Sequence, residues 1–259
     1  MVGREHLFIS DVHIGAFSPI KEEELARNLL TLIDYAIEHE ALLYVLGDLF
    51  DYWMEFPKQN YIPNIGKEVL DKFEEYNRSV AKALFITGNH DNWTFGHFED
   101  RGFDVERNYR VIELEGLKVL LMHGDGQFGK RDDFIRPFYH KVLRHPTFTK
   151  IFQKVFSPTL GLSFMKIFSN VTRKRNYRNP VPLNNHAESI LNAKEIDLVL
   201  CGHDHIPRME TFSGGRYINS GPFFSDGTLV RYKNGAFELV KWHIETQEFV
   251  PFLSNSIEA

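Results

Sequence analysis

An α/β fold is predicted for this chain by three observations: short apolar runs without alternation, helical stripes between some of them, and a late switch to brief runs separated by turn signals. The apolar runs lie at 7–9, 42–46, 83–86, 118–122 and 197–201. Strands covered on both faces read this way, because neither face meets water. Between the first two runs, the segment near 22–38 carries Leu25, Leu29, Leu32, Ile33 and Ala36 at helical spacing. Before the third run, 67–80 sets Val69, Leu70, Phe73 and Tyr76 on one stripe. After Pro207 come Gly214-Gly215, Ser220-Gly221-Pro222, Asp226-Gly227 and Asn234-Gly235, which predict antiparallel hairpins. The segment from about 130 to 179 differs again. It has helical stripes (Phe134, Ile135, Phe138, Tyr139, Val142, then Phe148, Ile151, Phe152, Val155) broken at Pro146 and Pro158. The expectation is one domain over 1–259 with a helical insertion at about 130–179.

Composition narrows the function classes. With 259 residues, 43% hydrophobic and 25% charged, the chain can bury a large core, and neither disorder nor a fibrous repeat is suggested. Cys201 is the single cysteine, which excludes an internal disulfide framework and a multi-cysteine zinc site and fits a reducing compartment. The first residues lack the apolar stretch of a signal peptide, and no uncharged apolar run reaches the ~20 residues needed to cross a bilayer. A cytoplasmic location with at most peripheral membrane contact is expected. Charge is uneven: 12 Lys/Arg against two acidic residues lie between Gly126 and Arg178, in a chain whose net charge is −5. Two surfaces with different partners are implied.

Each apolar run is followed at once by polar residues of metal-ligand type. These are Asp11-Val12-His13, Gly47-Asp48 with Asp51, Gly88-Asn89-His90-Asp91, His123-Gly124-Asp125 and Gly202-His203-Asp204-His205. Ligands at the carboxyl ends of strands converge on one crevice in such sheets. Oxygen and imidazole donors without thiolate suit Mn²⁺, Fe or Zn²⁺. Two ions need a shared acidic ligand, for which Asp48 is the candidate. If the backbone stays extended, Asp11/His13 and His203/His205 each point two side chains the same way. Asp51 and Asp125 read either as partners of metal-bound histidines or as turn residues. His6, His39, His97, His140, His145, His186 and His243 stand outside these blocks and read as surface or core, and Cys201 as a small buried apolar residue.

These residues, in this order, resemble the calcineurin-like metallophosphoesterases, whose pattern is DxH, GDxxD, GNHD, an isolated HG and GHxH. The resemblance implies a four-layer α/β-β/α sandwich. It also implies one metal on Asp11, His13, Asp48 and His205, and a second on Asp48, Asn89, His123 and His203. His90 would stabilise the transition state or protonate the leaving oxygen, with Asp91 orienting it, a role open to imidazole near neutral pH.

The basic insertion is rich in Phe and Leu. Such helices lie on anionic membranes or enclose acyl chains; the same composition also suits an ordinary helical subdomain or a nucleic-acid patch. The run from Gly47 to Trp53, the block His123-Gly124-Asp125 leading to Arg131-Asp132-Asp133, and the insertion itself look like the UDP-2,3-diacylglucosamine hydrolases of lipid A synthesis. That resemblance implies attack on the α-phosphorus of a UDP-sugar lipid, release of UMP and diacylglucosamine 1-phosphate, Mn²⁺ as the usual metal, the insertion as a lid, and work at the inner-membrane surface. A nucleic-acid polymer is not the expected partner. It departs at His90, where well-known members carry Arg. Asn89, His90, Asp133, Arg173, Lys174 and Arg175 are the expected substrate contacts, Arg matching phosphate geometry bidentately. The alternatives are a soluble phosphodiesterase or phosphatase for nucleotides or phosphoproteins, and a non-catalytic scaffold of the same fold.

Overall fold

The computed structural model describes residues 3–128, 134–136, 138–173, 179–193 and 195–252, with the backbone alone for Phe134, Tyr139 and 166–173. The chain runs β1 (His6–Ile9), α1 (Pro19–Glu38), β2 (Leu42–Leu46), α2 (Lys67–Ser79), β3 (Leu84–Ile86), α3 (His97–Asp100), β4 (Asp104–Glu106), β5 (Tyr109–Leu114) and β6 (Leu117–Met122). There follow β7 (Gln127–Phe128), β8 (Phe134–Ile135), α4 (Phe138–Leu143), α5 (Pro146–Val155), α6 (Pro158–Arg173) and α7 (Val181–Ala193). The last part is β9 (Leu198–Cys201), β10 (Arg208–Phe212), β11 (Gly215–Asn219), α8 (Phe223–Asp226), β12 (Thr228–Lys233), β13 (Ala236–His243) and β14 (Glu248–Pro251).

Two mixed sheets form, ordered β14-β13-β12-β1-β2-β3-β4 and β10-β11-β9-β6-β5. Side-chain alternation along each central strand makes the layers. In β1, Leu7 and Ile9 pack with Leu29, Leu32 and Phe73 of the first two helices, while Phe8 faces the other sheet. In β6, Val119 and Leu121 join that inter-sheet core, and Leu120 and Met122 pack under α7. Both faces of these strands are therefore apolar, and helix, sheet, sheet and helix follow one another as four layers.

The C-terminal strands do more than form hairpins. The Gly214-Gly215 and Asn234-Gly235 turns join antiparallel pairs as expected, but β12 also pairs with β1 and completes the first sheet. Asp226-Gly227 ends the one-turn helix α8, with Gly227 in the left-handed conformation at its C-cap (φ 63°).

The prolines that break the stripes of the insertion open helices: Pro146 begins α5 and Pro158 begins α6, where the missing N–H costs nothing. Phe152 and Met165 pack with Tyr52, Met54, Phe56 and Trp93 of the main body. Gln153 donates to the Glu55 carbonyl (2.7 Å) and the Trp93 indole to that of Leu143 (2.8 Å), so the helices are stapled as well as packed. A Cβ on Gly161 would come 2.8 Å from Phe152 and 3.2 Å from Phe56. Gly161→Val is expected to destabilise the protein by about 2 kcal/mol, read as a lowered thermal midpoint, because the added atoms press on two rings packed in one cluster.

Candidate metal centre

Parallel strands β1, β2 and β3 end side by side in one sheet, and β6 and β9 in the other. Their C-terminal loops interlock. Asp11 N–H donates to the Gly47 carbonyl (3.1 Å), His13 N–H to that of Asp48 (3.0 Å), and Gly202 N–H to that of His123 (3.0 Å). A Cβ at Gly88 would collide with Asp48, and one at Gly202 with Ser10 and Asp11. The blocks need glycine where one loop lies on another.

The extended geometry expected for the two paired motifs is not what forms. Asp11 (φ 51°), His13 (54°), Asp48 (54°), His203 (78°) and His205 (59°) all occupy the left-handed region. At about 1 kcal/mol each, such strain persists only where surrounding bonds over-determine it, and it clusters at functional sites. One consequence is that His203 and His205 turn apart. The His203 ring meets His123 (Nδ1 to Nε2, 3.2 Å), whereas His205 Nε2 meets Asp11 Oδ1 (3.2 Å) and His13 Nε2 (3.3 Å).

Each carboxylate is anchored by one oxygen and presents the other. Asp11 Oδ2 accepts from Ser10 Oγ (2.5 Å) and His203 N–H (2.9 Å), while the buried Oδ1 has no hydrogen-bond donor. Asp48 Oδ1 accepts from His90 N–H (2.9 Å), and Oδ2 lies 3.4 Å from His123 Nε2 and 3.7 Å from His13 Nε2. The His123 Nδ1–H donates to the Leu46 carbonyl (2.8 Å), so Nε2 is the ring atom that faces inward, 3.1 Å from Asn89 Oδ1. All seven expected ligands are thus brought together, with Asp48 Oδ2 between an Asp11–His13–His205 group and an Asn89–His123–His203 group.

Donors about 2.1 Å from a shared ion stand about 3.0–3.4 Å apart, the spacing found for His203–His123, His205–Asp11, His205–His13, Asp48–His123 and Asn89–His123, while His13 stands wider from Asp48 (3.7 Å) and Asp11 (3.8 Å). Facing lone pairs at that distance repel unless a cation lies between them. The electrostatics agree. Burial pulls the His123 imidazole down, yet Asp48, Asp11 and Asp125 drive it up to about 10. Burial and the neighbouring His123 push His203 down to about 4. Burial opposes ionisation of Asp48, but His123, His90 and His13 hold its carboxyl well below the ordinary range. The site is an acidic cradle short of positive charge, and the donor set fits divalent ions.

Three supporting carboxylates were not separable by sequence. Asp91 does not orient His90: burial and the Asp48 charge raise its pKa to about 7, and its oxygens accept backbone N–H from Gly88 (2.7 Å), Leu49 (2.7 Å) and Phe50 (3.4 Å). It knits two loops. Asp51 is the carboxylate beside His90, with Oδ1 3.2 Å from Nδ1. Tyr52, itself at φ 87°, lies against the same imidazole with ring centres 4.7 Å apart. Asp125 makes no bridge to His123 Nδ1. It receives Arg144 (2.9 Å), Arg136 (3.2 Å) and His140 (3.4 Å) from the insertion. From sequence His140 reads as surface or core, and Arg136 and Arg144 as members of a basic segment, with no signal that places them on Asp125. Arg208 holds Asp204 through two bonds (3.0 and 2.7 Å) between the last two histidines, a pairing four residues apart that was visible in principle. Cys201 is buried under α7 as expected, near the Tyr217 hydroxyl (3.3 Å). Asp133, Lys174 and Arg175 lie outside the described residues, as does the side chain of Arg173.

Residues 6–207 match the calcineurin-like phosphoesterase family, a span that contains every one of these candidate ligands. The chain belongs to that family. It is therefore a hydrolase of the metallophosphoesterase type, and the family implies divalent metal ions. This phosphoesterase is 24% identical to the UDP-2,3-diacylglucosamine hydrolase of Aliivibrio fischeri (strain MJ11), over 91% of this chain and 97% of that protein. It is 28% identical to the protein of the same name from Blochmanniella pennsylvanica (strain BPEN), over 78% and 79%. Among solved structures, Yfce, a phosphoesterase from E. coli, is 14% identical with a TM-score of 0.49, over 95% of this chain and 96% of that one.

Proposed function

We propose that this phosphoesterase cleaves the diphosphate of UDP-2,3-diacylglucosamine at the α-phosphorus, giving UMP and 2,3-diacylglucosamine 1-phosphate. The observation that carries the reading is the apolar face of the insertion. Phe138 (81% exposed), Ile151 (58%), Val155 (68%), Leu160 (64%) and Phe164 (51%) leave a large greasy surface beside the exposed Lys150 and Lys154. Single exposed apolar residues mean little, but five on three consecutive helices suit acyl chains and an anionic bilayer surface. No helix among the described residues is long and apolar enough to cross a membrane. The names of the relatives support the same substrate. In this reading the chain is one domain over 1–259 with the insertion at about 130–179 as lid, working from the cytoplasm on the inner-membrane surface.

Asp11, His13, Asp48 and His205 would hold one ion and Asp48, Asn89, His123 and His203 the other, Mn²⁺ suiting this donor set. A bound pair of divalent ions supplies hydroxide at neutral pH and neutralises phosphate oxygens. The chain's own residues do the rest. His90 Nε2 lies 4.0 Å from Asp48 Oδ2 and its Nδ1 3.2 Å from Asp51 Oδ1, so the imidazole stands between the proposed bridging carboxylate and a second acidic group. The leaving oxygen belongs to a phosphate monoester and is weakly basic, so His90 acts more by hydrogen bonding to the phosphate oxygens than by proton delivery. Asn89 contributes its side-chain oxygen, and Asp133, Arg173, Lys174 and Arg175 are proposed contacts for the glucosamine and its phosphates.

The test is UMP release by the Mn²⁺-loaded protein. UDP-2,3-diacylglucosamine should turn over at least about a hundredfold faster than UDP-glucosamine, because burying even a few methylenes gains about 0.8 kcal/mol each. Equal rates would sink the acyl-chain reading.

A further inference from the structure

The loop after β9 carries two histidines that serve different groups although one residue separates them. The His203 ring meets His123, and the His205 ring meets Asp11 and His13. In an extended segment residues i and i+2 point the same way, so the divergence depends on the left-handed backbone at both His203 (φ 78°) and His205 (φ 59°). A backbone of that kind persists where surrounding bonds over-determine it.

On the His203 side the restraint is local. The His203 N–H donates to Asp11 Oδ2 (2.9 Å), and the Gly202 carbonyl accepts from Asn219 Nδ2 (2.6 Å). On the His205 side it comes from Arg208. The guanidinium donates to Asp204 Oδ1 (3.0 Å), Asp204 Oδ2 (2.7 Å) and the Ile206 carbonyl (2.7 Å), gripping the residue before His205 and the residue after it. Asp204 Oδ1 also accepts the Ile206 N–H (3.0 Å), which closes a tight turn around His205. Arg208 is itself buried and fixed: it opens β10, where its partner is Asn219 of β11. Its Nε donates to Asn184 Oδ1 of α7 (2.8 Å) and its Nη2 to the Tyr217 hydroxyl (3.0 Å). A planar fork is needed to hold Asp204 by both oxygens while reaching these other acceptors. With 27% of its side chain exposed, His205 is packed far less tightly than His123 (1%), so its place depends more on the backbone that carries it.

We propose that Arg208 is a positioning residue for the metal centre: through Asp204 and Ile206 it keeps His205 turned away from His203, so that the Asp11–His13–His205 group holds an ion of its own. The inference rests on the reading of the two groups as seats for two ions. Without the guanidinium the turn relaxes toward extended backbone, His205 swings to the His203 side, and its group is left with Asp11, His13 and the shared Asp48.

Mn²⁺ titration of the full chain after chelation, followed by calorimetry and by the electron paramagnetic resonance signal of free Mn²⁺, tests the proposal. The unmodified protein is expected to bind two ions. In Arg208→Met one of the two affinities should fall at least about tenfold, the effect of removing a partner that orients a metal ligand, while the other stays within about twofold. Arg208→Lys keeps the charge without the fork and should show an intermediate loss at the same ion. The affected ion is assigned with His205→Ala, in which adding Arg208→Met should leave the remaining ion unchanged, because the group it supports is already lost. Phe237→Leu, in the inter-sheet core against Phe8 and Tyr232, lowers the thermal midpoint and should leave both affinities unchanged, which separates positioning from a general loss of stability. If Arg208→Met fails to fold, Arg208→Lys and Asp204→Asn carry the test, the latter expected to weaken the same single ion. Two ions held at unmodified affinity in the Arg208 variants, or both weakened together, overturn the role of Arg208 alone. An unmodified protein that binds a single ion overturns the two-ion reading and this inference with it.

Discussion

Asp48→Ala is expected to strip the protein of both divalent ions and to lower turnover at least about a thousandfold, equivalent to about 4 kcal/mol of lost transition-state stabilisation. The reason is positional. Among the described carboxylates, Asp48 Oδ2 is the one within 4 Å of an imidazole from each group, 3.7 Å from His13 and 3.4 Å from His123. Oδ1 meanwhile fixes the backbone of His90 at 2.9 Å. Removing this side chain unties the two groups and frees the loop that carries the His90 imidazole. His205→Ala should behave differently, because among the candidate ligands His205 lies within 3.5 Å of Asp11 and His13, both of one group. That variant should retain one ion. Elemental analysis of the two purified variants, alongside turnover, separates the cases. An Asp48→Ala protein that keeps a full complement of metal would show that the carboxylate does not bridge.

The parts of this centre that were legible in the sequence are those set by local rules. Strands buried on both faces show as unbroken apolar runs, and a polar cluster directly after each run marks a loop at a sheet's carboxyl edge. Hence the five blocks and the seven candidate ligands could be named, and 7–9, 42–46 and 118–122 coincide closely with β1, β2 and β6. Helix α7 escaped because its buried stripe is built on Leu183, His186, Ala187, Ile190 and Leu191, where a histidine and an alanine interrupt the apolar signal. Backbone sign was also invisible. Asp and His tolerate the left-handed region, so nothing in the residue types shows that the loops abandon extended geometry. The exchange of Asp91 for Asp51 beside His90 has the same origin. The family resemblance implied Asp91, but the turn after His90 sends that carboxylate into backbone amides, and the β2 loop places Asp51 beside the ring from the next strand.

What sequence distance hid most completely is Arg144, whose replacement by methionine should be the most damaging change outside the ligand set. Its guanidinium donates to Gly88 O (2.6 Å), Thr87 O (3.1 Å), Thr87 Oγ1 (3.0 Å) and Asp125 Oδ2 (2.9 Å). The residue follows α4 in the insertion, 57 positions from Thr87, and binds the segment just before Asn89 and His90 to the one just after His123. The Asp125 side chain is 2% exposed, so the pair lies where a lost partner is costly. Breaking a buried ion pair costs about 3–5 kcal/mol when the remaining charge has no other support. Arg136 and His140 still face the same oxygen here, which puts Arg144→Met near about 3 kcal/mol, measurable in denaturant unfolding. Activity should fall a further 10–100-fold, roughly the effect of removing a partner that orients metal ligands. Arg144→Lys reaches at most part of the array and should recover stability better than turnover. Adding Asp125→Asn to Arg144→Met removes the stranded charge, so the double variant should be more stable than the sum of the single losses while its turnover stays low. If the losses simply add, the two side chains are independent. The insertion would then be a cover lying over the metal centre, with no hand in holding the loops that carry Asn89, His90 and His123.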